Sequence, residues 1–222
     1  EARRRAERGD LSPVWLIAKR QTAGRGRRGR AWISKDGNLL ATYLFATHKP
    51  PSEIALLGFA TGLAIAEATD EILGAGNASL KWPNDVLIDG AKAAGILLDS
   101  GSLGGGGLWV ALAFGVNLAD APEGIDQRTT SLRGVLPLDA EAPTPAVFLA
   151  RVRGGLEAWA ARLEREGFEP LRQAWLSRAY SLGGQARVMQ GEAVLEGRFA
   201  GLSPRGELEL DTTQGRRLIA AG

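Results

Sequence analysis

Apolar residues fall along this chain in continuous runs, three-four stripes and alternation, and each texture predicts a different element. "VWLIAKRQ", Val14 to Gln21, is apolar at its start and polar at its tip, as in a strand that ends in a loop. "NLLATYLFA", Asn38 to Ala46, predicts the next strand. "PPSEIALLGFATGLAIAEATDEIL" predicts a helix, with Ser52 as N-cap, Glu53 in the first turn, and Ile54, Leu57, Thr61 and Ile65 on one face. "LKWPNDVLIDGAKAAGILLDS" reads as strand, Pro-Asn-Asp corner, strand, Asp-Gly turn, strand. Beyond the glycine-rich connection "GSLGGGG", Leu108 to Ala119 is an apolar strand expected to be buried on both faces. Gly124 to Pro137 shows no period and reads as irregular.

From Thr144 to about Glu166, the residues Leu149, Val152, Leu156, Trp159 and Leu163 form a helical stripe. A shorter helix is predicted over Glu169 to Arg178. After Gly183 the texture changes to alternation, with turns at Gln190-Gly191, Ser203-Pro204 and Arg205-Gly206. That pattern predicts a small antiparallel, barrel-like unit. The division expected is residues 1–178 as a larger domain and 179–222 as a smaller one. Glu1 to Gly9 reads as a helix that begins without a cap, so the chain is expected to be truncated at this end.

Composition narrows the chemistry. The 222 residues contain no cysteine and one histidine, His48. Disulfides, thiolate metal sites and a cysteine nucleophile are excluded, as is a His-rich zinc site. Absence of cysteine suits a reducing cytosol, so a cytoplasmic location is expected. No signal peptide opens the chain and no uninterrupted apolar run reaches the ~18 residues of a membrane span. Residues 1–30 hold ten basic and three acidic side chains, a surplus of +7, so the net charge of +2 leaves −5 for the remainder. The positive charge is local rather than spread over a face wide enough to track a nucleic acid.

Its centre is "RQTAGRGRRGRAW", Arg20 to Trp32, with five arginines, three glycines and no acid. Gly24, Gly26 and Gly29 let backbone amides approach a ligand, and the arginines match phosphate or carboxylate. A solvated basic loop is the plain alternative, but its position between two apolar strands argues for a loop anchored in a fold. In "KWPNDVLIDGAKAAGILLD", Asn84 and Asp85 offer hard oxygen ligands suited to Mg²⁺ and phosphates, with Lys92 seven residues beyond Asp85. The same letters also spell an ordinary β-turn with surface lysines. Asn117, at the end of a buried strand, is either satisfied locally or aimed into a pocket. Trp32 either packs beneath the arginine loop or touches a nucleotide. His48 and Arg3 to Arg5 read as solvated, and Trp109 and Trp159 as core.

Taken together and in this order, "QTAGRGRRGRAW", "KWPNDVL", "KAAGILLD" and "GVNL" resemble the biotin–protein ligases, also called biotin–[biotin carboxyl carrier protein] ligases, over roughly residues 14–120. The resemblance implies an α+β fold, with a central mixed β-sheet flanked by helices, like class II aminoacyl-tRNA synthetases, followed by a small SH3-like β-barrel. It implies activation of biotin by ATP and Mg²⁺ to biotinyl-5′-AMP and transfer to one lysine of a biotin carboxyl carrier protein domain. By that resemblance Lys92 and Arg27 are catalytic. Gln21, Gly24, Arg25, Gly26, Arg27, Lys92 and Gly95 bind biotin. Arg30, Trp32, Lys81, Asn84, Asp85, Asn117 and Thr130 bind ATP or the adenylate, with Asp85 toward Mg²⁺. "RTTSL", Arg128 to Leu132, stands where the family covers adenine.

The family's Ser-Thr-Asn-like biotin-binding segment is expected just before Glu1, and one more barrel strand after the C-terminal "RRLIAAG". No winged helix is encoded, so the monofunctional type without DNA binding is expected, with no membrane partner and a homodimer possible. Two rivals remain for comparison. A lipoate ligase or octanoyltransferase shares the fold but lacks this pairing of "GRGRRGR" with "KWPND". An RNA-binding module requires aromatic stacking platforms, and only Trp15 and Trp32 lie near the basic loop.

Overall fold

The computed structural model describes residues 1–125, 127–191 and 193–221. A short helix α1 (Ala2–Glu7) leads to β1 (Val14–Ile17), and β2 (Leu39–Thr47) follows the arginine loop. Helices α2 (Pro51–Ala55) and α3 (Leu57–Leu73) precede strands β3 (Ala78–Lys81), β4 (Asp85–Ile88), β5 (Ala91–Ser102) and β6 (Leu108–Val116). Then come α4 (Leu132–Val135), α5 (Pro145–Glu166) and α6 (Glu169–Ser177). Strands β7 (Gln185–Gln190), β8 (Ala193–Leu202), β9 (Leu208–Thr212) and β10 (Gly215–Ile219) close the chain.

The first six strands form one sheet in the order β1-β2-β6-β5-β4-β3. Every pair in it is antiparallel. The expected mixed sheet is therefore corrected. The tight turns that join β3 to β4 and β4 to β5, and the short connection between β5 and β6, return the chain beside itself, whereas parallel neighbours need a long crossover. Among the described residues, parallel pairing is confined to two isolated bridges, Leu80 with Ala179 and Lys92 with Thr129.

Helices α3 and α5 cover one face of this sheet. Phe114, Ile96, Ala94 and Val116 pack there with Leu63, Phe148 and Val152 in a continuous core. Pro51 to Leu73 is long and apolar enough to cross a membrane by composition, with mean hydropathy 1.2, yet most of it is buried inside the fold. Its start departs from expectation: Ser52 lies in the first turn, and the N-cap is Pro50, which makes no side-chain cap. Proline suits the first turn because the amide it lacks would have no helical partner. Thr144 does cap α5, its side chain accepting from the Val147 N–H at 3.4 Å. Within the span expected to be irregular, Ser131 caps the one-turn α4.

The last four strands form a second antiparallel sheet in the order β10-β9-β8-β7, with its turns where glycine and proline placed them. Phe199, Leu202, Leu208, Leu210 and Ile219 bury their side chains in the same core as α3 and α6. The Trp82 indole N–H also donates to the Gly206 carbonyl at 3.1 Å. The two sheets are thus joined by apolar packing beside the Pro-Asn-Asp corner.

Candidate active site

The sheet face away from α3 and α5 carries the site. Along it Asp85, Gly95, Gly115 and Leu40 stand opposite one another on β4, β5, β6 and β2. Cross-strand partners share a face, so this row is one strip of floor. Its two glycines leave room for a ring. A Cβ on Gly115 would run into the Trp32 indole, and one on Gly95 would lie 3.1 Å from it.

Lys92 belongs to the same strip through an irregularity. Residues three apart on a regular strand point to opposite faces. Between β4 and β5 the register shifts, pairing Val86 with Ala94 but Leu87 with Lys92. The extra residue brings Lys92 onto the face of Gly95, with its Nζ 3.3 Å from where a Gly95 Cβ would sit. There the ammonium lies 2.7 Å from Asp85 Oδ1, both side chains largely buried at 18% and 14% exposure. Asp85 Oδ2 accepts from Gln127 at 3.3 Å, and Lys92 Nζ lies 5.7 Å from the centre of the Trp32 ring.

The arginine segment is a folded lid. Its base is clamped where the Gln21 N–H donates to Ser34 Oγ at 2.9 Å. Above this the Trp32 N–H donates to the Gly24 carbonyl at 2.9 Å and the Gly26 N–H to the Arg30 carbonyl at 2.7 Å. Gly24 has no space for a side chain, since a Cβ would run into the Trp32 carbonyl. A single 3₁₀ turn, Arg27–Gly29, forms the tip. Burial is the first cause that holds the Arg27 guanidinium below its ordinary range; the charges of Arg28 and Arg30 add to it and Asp85 opposes it.

The third wall is the segment before α4. The Lys92 N–H donates to the Arg128 carbonyl at 2.9 Å, and the Thr130 N–H to the Lys92 carbonyl at 3.0 Å. Asn117, 2% exposed, donates to the Thr130 carbonyl at 3.1 Å. Both alternatives for Asn117 hold: it is satisfied locally and it borders the cavity. Asn84 is likewise satisfied, donating to the Ile96 carbonyl at 2.7 Å.

These parts enclose a cavity of about 360 Å³, within the usual range for small-molecule sites. Of the residues named from the sequence, Gln21, Arg25, Gly26, Arg27, Arg30, Trp32, Asn84, Lys92, Gly95 and Asn117 line it. Gly24, Lys81, Asp85 and Thr130 do not. Gly24 shapes the lid, Asp85 stands behind Lys92, and Lys81 is exposed at the end of β3. Thr130 lines an adjoining polar recess, which shares Pro122, Ile125, Gln127 and Thr129 with the main cavity. Sequence reading missed Gly115, Gln127 and the apolar lining from Ile33, Leu97 and Ala113. Gly115 stood inside the "GVNL" motif, but its role needs the register that sets it opposite Gly95.

For Mg²⁺, no group of three acidic or histidine side chains occurs among the described residues. A single carboxylate together with substrate phosphates is nevertheless a donor set that Mg²⁺ accepts, and Asp85 supplies one.

A largely apolar cleft lined also by Lys92, Arg25, Arg27 and Arg30 suits a ligand with an apolar body and an anionic group. Known proteins agree. The Biotin/lipoate A/B protein ligase family model matches residues 11–117. The chain is 39% identical to the biotin–[acetyl-CoA-carboxylase] ligase of Paracoccus denitrificans, covering 94% of this chain and 88% of that one. It is 32% identical to the enzyme of the same name from Mycobacterium tuberculosis, covering 99% and 81%. Its fold is similar to that of the biotin protein ligase from Aquifex aeolicus in complex with biotin and ATP, with a TM-score of 0.77 and 30% identity over 94% of this chain and 86% of that one. The chain belongs to the biotin/lipoate A/B protein ligase family. Within that family its place is among the biotin protein ligases.

Proposed function

We propose that this protein activates biotin with ATP to biotinyl-5′-adenylate, releasing pyrophosphate, and then transfers the biotinyl group to a lysine of a biotin carboxyl carrier protein domain. The observation that carries this reading is the presence of Lys92 and three loop arginines, Arg25, Arg27 and Arg30, in the lining of one largely apolar cleft.

The biotin ring system lies against the Gly95–Gly115 floor beside Trp32, with its carboxylate toward Lys92. The substrate carboxylate is itself the nucleophile toward the α-phosphorus, so the chain needs no cysteine or histidine for the step. It must hold two anions together in line, and fixed cations offset their repulsion and the charge of the transition state. Asp85 fixes the Lys92 ammonium until an incoming carboxylate or phosphate takes its place. Asp85 would be the residue to hold Mg²⁺ bound with the ATP phosphates, and the ion would supply charge neutralisation there. The nucleotide extends toward the recess beside Arg128 to Thr130, and Lys81 meets it only at the rim. The lid keeps water from the mixed anhydride. In the second step the carrier lysine attacks the biotinyl carbonyl carbon, the bond to the phosphate oxygen breaks, and AMP leaves.

The test is ATP–pyrophosphate exchange with biotin, lipoate, octanoate or no acid. Exchange with biotin alone is expected, followed by labelling of a carrier domain. Exchange with lipoate or octanoate but not biotin keeps the chemistry and overturns the substrate.

A further inference from the structure

The arginine loop makes one contact that neither the cavity nor the proposed reaction requires. Arg28 does not line the cavity. Its backbone is left-handed, with φ 57°, and its Nη2 donates to the Met189 carbonyl at 2.8 Å, 161 residues along the chain. Met189 lies in β7, the outermost strand of the second sheet, where its ladder partner is Val194 of β8. An edge strand presents carbonyls that its sheet does not use, and Arg28 takes one of them.

The backbone bonds from Gly24 to Trp32 close within the loop itself, joining Trp32 to Gly24, Gly26 to Arg30 and Arg30 to Arg27. They set the shape of the hairpin without fixing it against the rest of the protein. The Arg28 bond is of another kind. It is charge-assisted, it starts at the tip, and it ends on a sheet whose core is continuous with that of the catalytic region.

On the functional reading above, we infer that Arg28 is a latch. It is a positioning residue that pins the lid to the edge of the second sheet, so that this sheet governs how long the activated acyl intermediate is retained.

Two changes act on the same bond from opposite ends. Arg28→Ala deletes the donor. Replacing Gln190 by its α-hydroxy acid turns the Met189 carbonyl into an ester carbonyl, a weaker acceptor; it also removes the Gln190 N–H, opposite Ala193 in the ladder, and leaves every side chain in place. Amide hydrogen exchange of residues 24–32 is then read in the ligand-free full chain, in the two single variants and in the double variant. Each single change is expected to speed exchange of the loop by roughly three- to tenfold. The double change is expected to be no faster than the faster single one, because both act on one interaction. Multiplying effects, or no effect of either change, would overturn the latch.

Release of biotinyl adenylate is measured on the same four proteins. If the unaltered chain forms no adenylate, the functional reading fails while hydrogen exchange still decides the latch. If it does form, the same non-additive acceleration of release is expected, and release unchanged by Arg28→Ala would remove the positioning role.

Discussion

The floor and the lid of the cavity are built by opposite means. The floor is four strands in register, where Asp85, Gly95, Gly115 and Leu40 are placed by ladders that continue into the core. The lid is a hairpin from Gly24 to Trp32, rich in exposed cations and closed mainly upon itself. A group that must meet a reacting atom within a fraction of an ångström belongs on the first kind of structure. A group that must admit a substrate and then exclude water belongs on the second. Lys92 sits on the floor and Arg27 on the lid, so the two cations should fail in different ways when removed.

The largest effect is expected at the floor. Lys92→Ala should lower ATP–pyrophosphate exchange by about 10²–10³, the usual cost of losing one preorganised charge partner in a transition state. Its thermal unfolding should remain cooperative, because the ladders around Lys92 use its backbone. Exchange at the normal rate would remove Lys92 from the mechanism.

A second carboxylate–cation pair shows what the same chemistry does outside the cavity. Asp70, its side chain 8% exposed, lies 2.5 Å from Arg178 and accepts from the N–H groups of Gly76 and Ala78. Burial pushes its carboxyl upward, but the bonds from Arg178, Gly76 and Ala78 outweigh this and hold it below its ordinary 3.8. A depressed folded pKa means stability that is fully present above the unfolded value and is lost as pH falls from 3.8 through the lower folded value. Asp70→Ala should therefore reduce unfolding stability by about 2–4 kcal/mol at neutral pH and flatten the acid limb of the stability curve. Exchange activity per folded molecule should stay unchanged. Equal losses of activity and stability would mean that the α3–β3 junction also positions the floor.

How much of this could be read from the sequence follows the same division. The floor strands were legible because apolar runs broken by Asp-Gly and glycine-rich turns leave few alternatives. The lid was legible as a folded loop, since its arginines and glycines lie between two apolar strands. The face on which Lys92 lies was not legible, because it depends on a register shift that no local pattern marks. Gly115 was hidden for a related reason: it matters only opposite Gly95. Lys81 and Asp85 matched a motif equally well, yet tertiary packing buries one beside Lys92 and leaves the other at the surface. The antiparallel order of β2 beside β6 joins segments about seventy residues apart and also lay beyond local pattern. The contact of Arg28 with β7 spans two sheets and carries no sequence signature.

Gly115→Ala sharpens the comparison by changing where the floor meets the lid. The added methyl must displace the Trp32 indole, and overfilling of this kind costs roughly 1–3 kcal/mol. Biotin binding measured calorimetrically should weaken by about tenfold, with Trp32 emission altered before any ligand is added. Unchanged affinity would show that the ring of the substrate does not use this slot.

The smallest effect is expected at the lid. Arg27 is half-buried and shares its surroundings with Arg28 and Arg30, so its removal leaves other cations at the cavity mouth. Arg27→Gly should therefore change the formation of biotinyl adenylate little. Its escape should quicken by about fivefold, since one charge-assisted contact is lost and the loop gains freedom. Measured as labelling of a bystander protein rich in lysine, the variant should spread biotin to surfaces the parent leaves unlabelled. If adenylate release and bystander labelling both stay at parental levels, retention resides in the floor, and the lid serves only to admit the substrate. If formation falls as steeply as it does for Lys92→Ala, Arg27 acts on the reacting atoms, and the distinction between a floor that reacts and a lid that retains is lost.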